Sequence, residues 1–208
     1  MVRRRLDAAA LARIEAEIAK AELSSRAELV AMIAPRADEY RASGLMLAIL
    51  GAFLAGIIGW GFLPWTSTGE ILAAEFLAFL VLVIVAELTP LGDRLTPRMM
   101  KANAVRRLAH ASFLEFGLAA TPERNAVLFF VSLAEHHVEI IADGDIHQKV
   151  GEGAWQRVVD DFTAQVRKGE LEAGFITAIQ ALSSILARHY PNSGDRPNSF
   201  SNRLIALP

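Results

Sequence analysis

The stretch that decides the fold is residues 44–65, which read GLMLAILGAFLAGIIGWGFLPW. It holds no charged residue over about 22 positions, and a helix of that length, rising 1.5 Å per residue, crosses a hydrocarbon core of about 30 Å. The helices of soluble domains are seldom apolar for so long. The stretch therefore predicts a transmembrane helix.

A second apolar stretch, residues 71–90, follows after the short polar link TSTGE. Its only acidic residues are Glu75 and Glu87, and both are expected within the terminal turns of the helix. A charge there costs much less than the roughly 3 kcal/mol assigned to the middle of a span. Together the two stretches predict a transmembrane helical hairpin over residues 44–92.

The charges around the hairpin predict its orientation. The link between the spans holds no Lys or Arg, whereas both flanks are basic. The flanking residues are Arg26, Arg36 and Arg41 before the first span and Arg94, Arg98, Lys101, Arg106 and Arg107 after the second. By the positive-inside rule both termini are cytosolic, and the link, with Trp60 and Trp65 near it, lies outside. We therefore expect a multi-pass protein of the cell inner membrane.

The first span also carries small residues at regular intervals. Ala48, Ala52 and Gly56 recur every four residues and so share one face, which lets a second helix approach closely. This pattern favours packing against the second span of the same chain, with self-association of two copies as the alternative. The expected partners are the lipid bilayer and a further membrane protein or a second copy.

Composition excludes several classes of function. The 208 residues carry a net charge of −2 and no cysteine, and charged residues make up 21%. No basic field or nucleic-acid motif is present, so we expect no nucleic-acid partner. Disulfides, thiolate metal sites and cysteine nucleophiles are impossible. The basic N-terminus runs into a charged helical pattern, which argues against a cleaved signal peptide.

The sequence on either side of the hairpin is typical of a soluble α/β domain. Before it, Asp7 can cap a helix, and an apolar run over residues 26–34 that ends at Pro35 predicts a strand. After it, residues 98–119 predict an amphipathic helix, and residues 127–131 and 138–142 predict a strand hairpin. Two further amphipathic helices follow, the second ending before Pro191.

A lone strand before the hairpin would leave both of its edges open in water. It is therefore expected to pair with the strands after the hairpin, giving an α/β (α+β) sandwich in which helices cover a small mixed sheet. The predicted segments are residues 1–43 for the first helix and strand, 44–92 for the transmembrane hairpin, 93–191 for the rest of the soluble domain and 192–208 for a flexible tail.

Three stretches resemble the TPM domain of bacterial membrane proteins. They are ERNAVLFFVSLAEHHVEIIAD at residues 123–143, WQRVV at 155–159 and GELEAGF at 169–175. The resemblance implies an α/β sandwich, and some members of that family are described as acid phosphatases or bind divalent cations through acidic loop residues. Of those acidic residues, Asp143 and Asp145 occupy the matching loop here, and Ala126 stands where the family often has glycine.

Several acidic and histidine residues are candidate metal ligands. Asp143 and Asp145 flank a glycine after a predicted strand and are candidates for holding a Ca²⁺ or Mg²⁺ ion. Glu28 and Asp38 could join them across the fold, but a solvated surface position is favoured for both. An ordinary turn explains the same Asp-Gly-Asp sequence. His136, His137 and His147 are candidates for zinc binding or proton transfer, although edge or turn positions are favoured.

Two functions remain open. The first is a membrane-anchored accessory, binding or regulatory protein, favoured because no G-x-S-x-G or phosphate-loop motif is present. The alternative is a divalent-metal-dependent phosphatase acting at the membrane surface through Asp143 and Asp145.

Overall fold

The computed structural model describes residues 6–62, 67–89, 91–121, 123–192 and 203–207. The chain forms two compact units. One comprises residues 1–37 and 102–208, and the other comprises residues 38–101. Trp65, used in the predicted topology, and the first five residues, used in the argument on the signal peptide, lie outside the described residues.

Helices and strands alternate in the order expected of an α/β domain with an insertion. In chain order they are α1 (Ala8–Ser24), β1 (Glu28–Ala34), α2 (Arg41–Phe62), α3 (Thr68–Leu88), α4 (Leu91–Leu95), α5 (Arg98–Glu115), β2 (Ala126–Ser132), β3 (His137–Ala142), α6 (Gly144–Val150), α7 (Glu152–Arg167), α8 (Leu171–His189) and β4 (Ile205–Ala206). A 3₁₀ turn, Leu118–Ala120, lies between α5 and β2.

The sheet confirms the predicted joining of the two soluble segments. Its strand order is β3-β2-β1-β4, with β1 parallel to both β2 and β4 and β2 antiparallel to β3. β1 is made before the apolar helices, and both of its neighbours are made after them. The fold is therefore the predicted mixed sheet covered by helices.

Both faces of β1 and β2 are buried, which explains why their sequences are apolar without alternation. Leu29, Ala31 and Ile33 point to the layer formed by α1, α7 and α8. Val30 and Met32 point to the opposite layer, where α5 packs. A strand between two helical layers needs apolar side chains at every position, and these two strands supply them.

Three phenylalanines form the centre of the larger core. The ring of Phe129 in β2 lies 5.2 Å from that of Phe162 in α7 and 5.8 Å from that of Phe175 in α8, and the two helical rings are 5.3 Å apart. All three pairs are edge-to-face, the geometry that the charge distribution of aromatic rings favours. Gly174 lets this packing form, because a Cβ there would lie 3.3 Å from the Phe162 ring.

The first helix is tied to α8 at its surface as well as through its apolar face. Arg13 of α1 donates two hydrogen bonds to Glu172 of α8, at 2.5 and 3.0 Å. This bidentate pair lowers the pKa of the Glu172 carboxyl and raises the pKa of Arg13. Glu17 accepts a further bond from Gln180, at 2.6 Å. The chain before the apolar helices is thus joined to the last helix of the domain.

The second unit is built from two long apolar helices that pack against each other. α2 and α3 each contain a segment long and apolar enough to cross a membrane, Ala42–Gly61 and Thr68–Leu88. None of the residues of α3 is buried. Ser67 caps α3 through a reciprocal pair of bonds with Glu70, which satisfies the backbone N–H groups at its start.

Two elements correct the sequence-based expectations. The tail predicted as flexible over residues 192–208 ends in a strand, since Ile205 pairs with Met32 of β1 and Leu204 is buried. Residues 193–202 lie outside the described part of the chain. The turn predicted at Asp143-Gly144-Asp145 is the start of a helix, α6, and Asp143 is its N-cap.

Candidate functional site

The predicted metal ligands Glu28 and Asp143 lie at the same edge of the sheet. Glu28 begins β1 opposite Ala126, and the backbone N–H of Asp143 donates to the Ala126 carbonyl from the other side, at 3.0 Å. With neighbouring strands about 4.8 Å apart, the two Cα atoms are about 10 Å from each other. The fold therefore brings two of the four predicted carboxylates to one corner.

Asp143 is the most constrained acidic side chain of this corner. It is 8% exposed, and its Oδ1 accepts a bond from the Gly144 N–H at 2.9 Å. The Arg124 guanidinium lies 3.6 Å from the same oxygen. The other oxygen, Oδ2, is buried and has no hydrogen-bond partner among the described residues. A buried carboxylate oxygen without a partner is costly and marks a place for a donor or a cation.

The backbone around Arg124 and Asn125 shapes this corner, and sequence reasoning missed both residues. Arg124 has a positive φ of 50°, a conformation uncommon outside glycine. Asn125 is buried, and its side-chain N–H donates to the backbone carbonyl of Arg26. The backbone carbonyl of Asn125 accepts a bond from the Glu28 N–H. These bonds lock the start of β1 to the start of β2. The position of Arg124 and Asn125 directly before the apolar run of β2 is the sequence signal that could have identified them.

Of the other two predicted ligands, one is exposed and the other belongs to a different compact unit. Asp145 is exposed in the first turn of α6. Asp38 belongs to the other compact unit. Within the described ranges, no group of three His, Asp or Glu side chains is placed to hold a metal ion. Calcium takes six to eight oxygen ligands, and a guanidinium already stands beside Asp143, so the residues present fit a bound Ca²⁺ or Mg²⁺ poorly.

Two of the candidate histidines line a cleft beside β3. The cleft has a volume of about 610 Å³ and runs between that strand and the start of α7. Its polar lining residues are His137, Glu139, His147, Glu152 and Gln156. His137 Nε2 lies 3.4 Å from a carboxylate oxygen of Glu139. His136 falls in the turn before β3 with a positive φ of 50°, and lines a separate hollow beside Arg167.

Inside the helical hairpin, the small residues of α2 face α3. Ala48 and Ala52 are buried, and a Cβ at Gly56 would lie 3.0 Å from the carboxylate of Glu75. Glu75 is the eighth residue of α3, about 10 Å along the helix and beyond its terminal turn, which corrects its expected position. Self-association through Ala48, Ala52 and Gly56 stays a prediction. It would require this face of α2 to leave α3 and pack against a second copy of the chain.

The architecture is that of an α/β sandwich domain with a long apolar helical hairpin inserted after its first strand. The chain belongs to the TPM domain family, whose model matches residues 80–185. That match begins within α3 and ends in α8, so it covers β2 and β3 with the helices around them. The resemblance noted in the sequence is confirmed.

The fold has been seen in a solved structure, the NMR structure of the BA42 protein from the psychrophilic bacterium Bizionia argentinensis. The two structures align with a TM-score of 0.61 over 97% of this chain and 95% of that chain. Their sequences are 15% identical, so the likeness concerns the fold alone. No curated protein matches the chain in sequence.

Proposed function

We propose that the chain is an integral protein of the inner membrane whose TPM domain lies in the cytosol and serves as an accessory or regulatory binding module. The observation that carries this proposal is the exposure of the apolar hairpin. Phe53, Leu54, Phe76 and Leu77 are each more than half exposed. Side chains of this kind are stable in lipid, whereas in water an apolar patch so large would drive aggregation.

The distribution of basic residues supports the cytosolic placement of both ends. Arg94 in α4 and Arg98 and Lys101 in α5 follow the second helix closely. The chain enters α3 through residues 67–70, which include no Lys or Arg. Positively charged segments stay on the cytosolic side during insertion. Two spans with opposite directions then return the chain to the side from which it started.

A binding role is favoured over transport or catalysis. Two helices that pack on each other through small residues form no water-lined path within one chain. The cleft beside β3 is open and is lined by exposed polar groups and a strand edge, features of a recognition surface. The membrane hairpin would hold this surface close to other membrane proteins.

Single cysteines offer a direct test, because the natural chain has none. Thr68→Cys reports on the segment between the spans, and the exposed alanines Ala8 and Ala111 report on the two soluble segments as Ala8→Cys and Ala111→Cys. With a membrane-impermeant maleimide added to intact spheroplasts, we expect labelling of Thr68→Cys only. The two alanine variants should react once the membrane is permeabilised.

The cysteine-free parent chain supplies the blank, and total labelling in detergent shows that each thiol can react. Labelling of Ala8→Cys or Ala111→Cys from outside would contradict the proposed orientation. Release of the chain by alkaline carbonate without detergent would contradict membrane integration itself.

One observation favours a second candidate, a divalent-metal-dependent phosphatase. The buried Oδ2 of Asp143 has no partner among the residues that the structure describes, and a cation would satisfy it. Asp145 and Glu28 would have to complete the site with water molecules, since hard cations need further oxygen ligands. We place no reaction step at this site.

Asp143→Asn tests this candidate while preserving the helix cap, because Asn is as good an N-cap as Asp. If the corner binds a cation, the affinity for Ca²⁺ or Mg²⁺ measured by calorimetry should fall at least tenfold, with any release of phosphate from p-nitrophenyl phosphate falling in parallel. Asp161→Asn, an exposed position on α7, is the matched control. Equal behaviour of both variants would remove the phosphatase candidate.

A further inference from the structure

β3 forms an open edge of the sheet. In the strand order β3-β2-β1-β4, β3 pairs only with β2 among the described strands. Its six residues, His137–Ala142, leave one row of backbone groups without a strand partner in the described parts of the chain. Such an edge is a template for an additional strand.

The hydrogen-bond pattern shows which backbone groups face outward. In an antiparallel pair, hydrogen-bonded and non-bonded residue pairs alternate along the ladder. The Asp143 N–H donates to the Ala126 carbonyl, so the bonded residues of β3 are those an even number of positions away, namely Ile141, Glu139 and His137. The N–H and C=O groups of Val138, Ile140 and Ala142 therefore point away from β2.

The cleft beside this edge has room for a peptide backbone. It measures about 610 Å³, and Val138 and Ile140 are among its lining residues. On the opposite wall, Trp155 is 7% exposed, and its indole Nε1 is buried without a hydrogen-bond partner in the described part of the chain. Buried indole N–H groups are normally bonded. An extended peptide would bring a row of carbonyl oxygens within reach of this wall.

The charges of the cleft select the kind of peptide. Glu139 and Glu152 line it, and neither Lys nor Arg is among its described lining residues. Arg106 approaches Glu139 to 3.6 Å, but its side chain is 67% exposed, so this surface pair is weak and replaceable. The cleft is therefore complementary to a basic segment.

We propose that the cleft between β3 and α7 binds an extended, basic peptide, which adds to the sheet as a strand beside β3. The occupant is a cytosolic juxtamembrane segment of another membrane protein, since such segments are rich in Lys and Arg. The cytosolic location of the cleft and of its peptide rests on the proposed function. The binding chemistry, backbone pairing with acidic side chains alongside, can be measured independently of orientation.

The experiment uses the full chain in detergent micelles and fluorescein-labelled hexapeptides. The first peptide alternates Lys and Val, the second alternates Glu and Val, and the third is the Lys-Val peptide with alternate backbone nitrogens methylated. By fluorescence anisotropy we expect the Lys-Val peptide to bind at least tenfold more tightly than either control. Residue-resolved hydrogen exchange should show new protection of Val138, Ile140 and Ala142 and none of Glu139 and Ile141.

Two variants test the contacts. Ile140→Pro removes an outward N–H, a change tolerated at sheet edges, and should weaken binding about fivefold or more. Trp155→Phe removes the indole N–H, keeps an aromatic ring and should have a similar effect, whereas Trp60→Phe in α2 should have none. If Ile140→Pro does not fold, Trp155→Phe and the methylated peptide decide the question.

Equal binding of the Lys-Val and Glu-Val peptides, or binding without protection of the outward amides, would overturn the proposal. A failure here with correct cysteine labelling would leave the membrane-anchored function standing. Correct peptide binding with reversed labelling would instead overturn the proposed orientation and the cytosolic source of the peptide.

Discussion

Replacing Phe129 by alanine is expected to lower the free energy of unfolding of the α/β domain by about 3–5 kcal/mol, the usual cost of deleting a buried aromatic ring. Phe129 is fully buried and contacts both Phe162 and Phe175. Its removal would leave two rings from different helices facing a void. Since most domains are stable by only 5–15 kcal/mol, the loss would be severe.

Thermal unfolding of the full chain in detergent, followed by near-UV circular dichroism, measures this effect. A loss of this size corresponds to a fall in melting temperature of about 10 °C for a domain of this length. Phe116→Ala is the matched control, because Phe116 is 38% exposed and its deletion should cost about 1 kcal/mol or less. Equal shifts for the two variants would mean that Phe129 is not at the centre of the core.

Replacing Leu77 by lysine is expected to cost about 3 kcal/mol or more for membrane insertion of α3. Leu77 lies near the middle of Thr68–Leu88 and is 62% exposed. In lipid, a lysine at this depth cannot easily reach the headgroups. On the surface of a soluble helix the same change would cost almost nothing, so the variant separates the two environments.

The effect is measured as the fraction of the chain that stays in the membrane after extraction with alkaline carbonate. For Leu77→Lys, the ratio of inserted to extracted chain should fall about 100-fold. Leu88→Lys is the control, since Leu88 ends α3 and a lysine there can extend its side chain to the interface. If Leu77→Lys and Leu88→Lys were retained equally, α3 would not span the bilayer.

Much of the fold could be predicted from local sequence patterns. Continuous apolar runs, one ending at Pro35 and one beginning after Asn125, predicted β1 and β2. Strands buried on both faces are apolar at nearly every position. Their pairing across the hairpin followed from the instability of a lone strand. β4 could not be predicted in this way, since a strand of two residues depends on its partner β1 and leaves no pattern of its own.

The candidate site was less accessible to sequence reasoning. Asp143 was identified, but Asp and Gly are as common in turns as at helix starts, so its role as the cap of α6 was missed. The approach of Arg124 depends on a positive φ that nothing in its own sequence requires. Asp38 was grouped with Glu28 on residue type alone, and the fold assigns them to different units.

The position of β1 has a consequence for biosynthesis. This strand leaves the ribosome before the apolar hairpin, yet β2 and β4, which flank it, are translated only after both apolar helices. At about 5–20 residues per second, several seconds pass before Glu28 can meet Ala126. During that interval β1 has neither of its strand partners, so its backbone edges and apolar side chains are open to wrong contacts. The domain can become protease-resistant only after translation has passed β2.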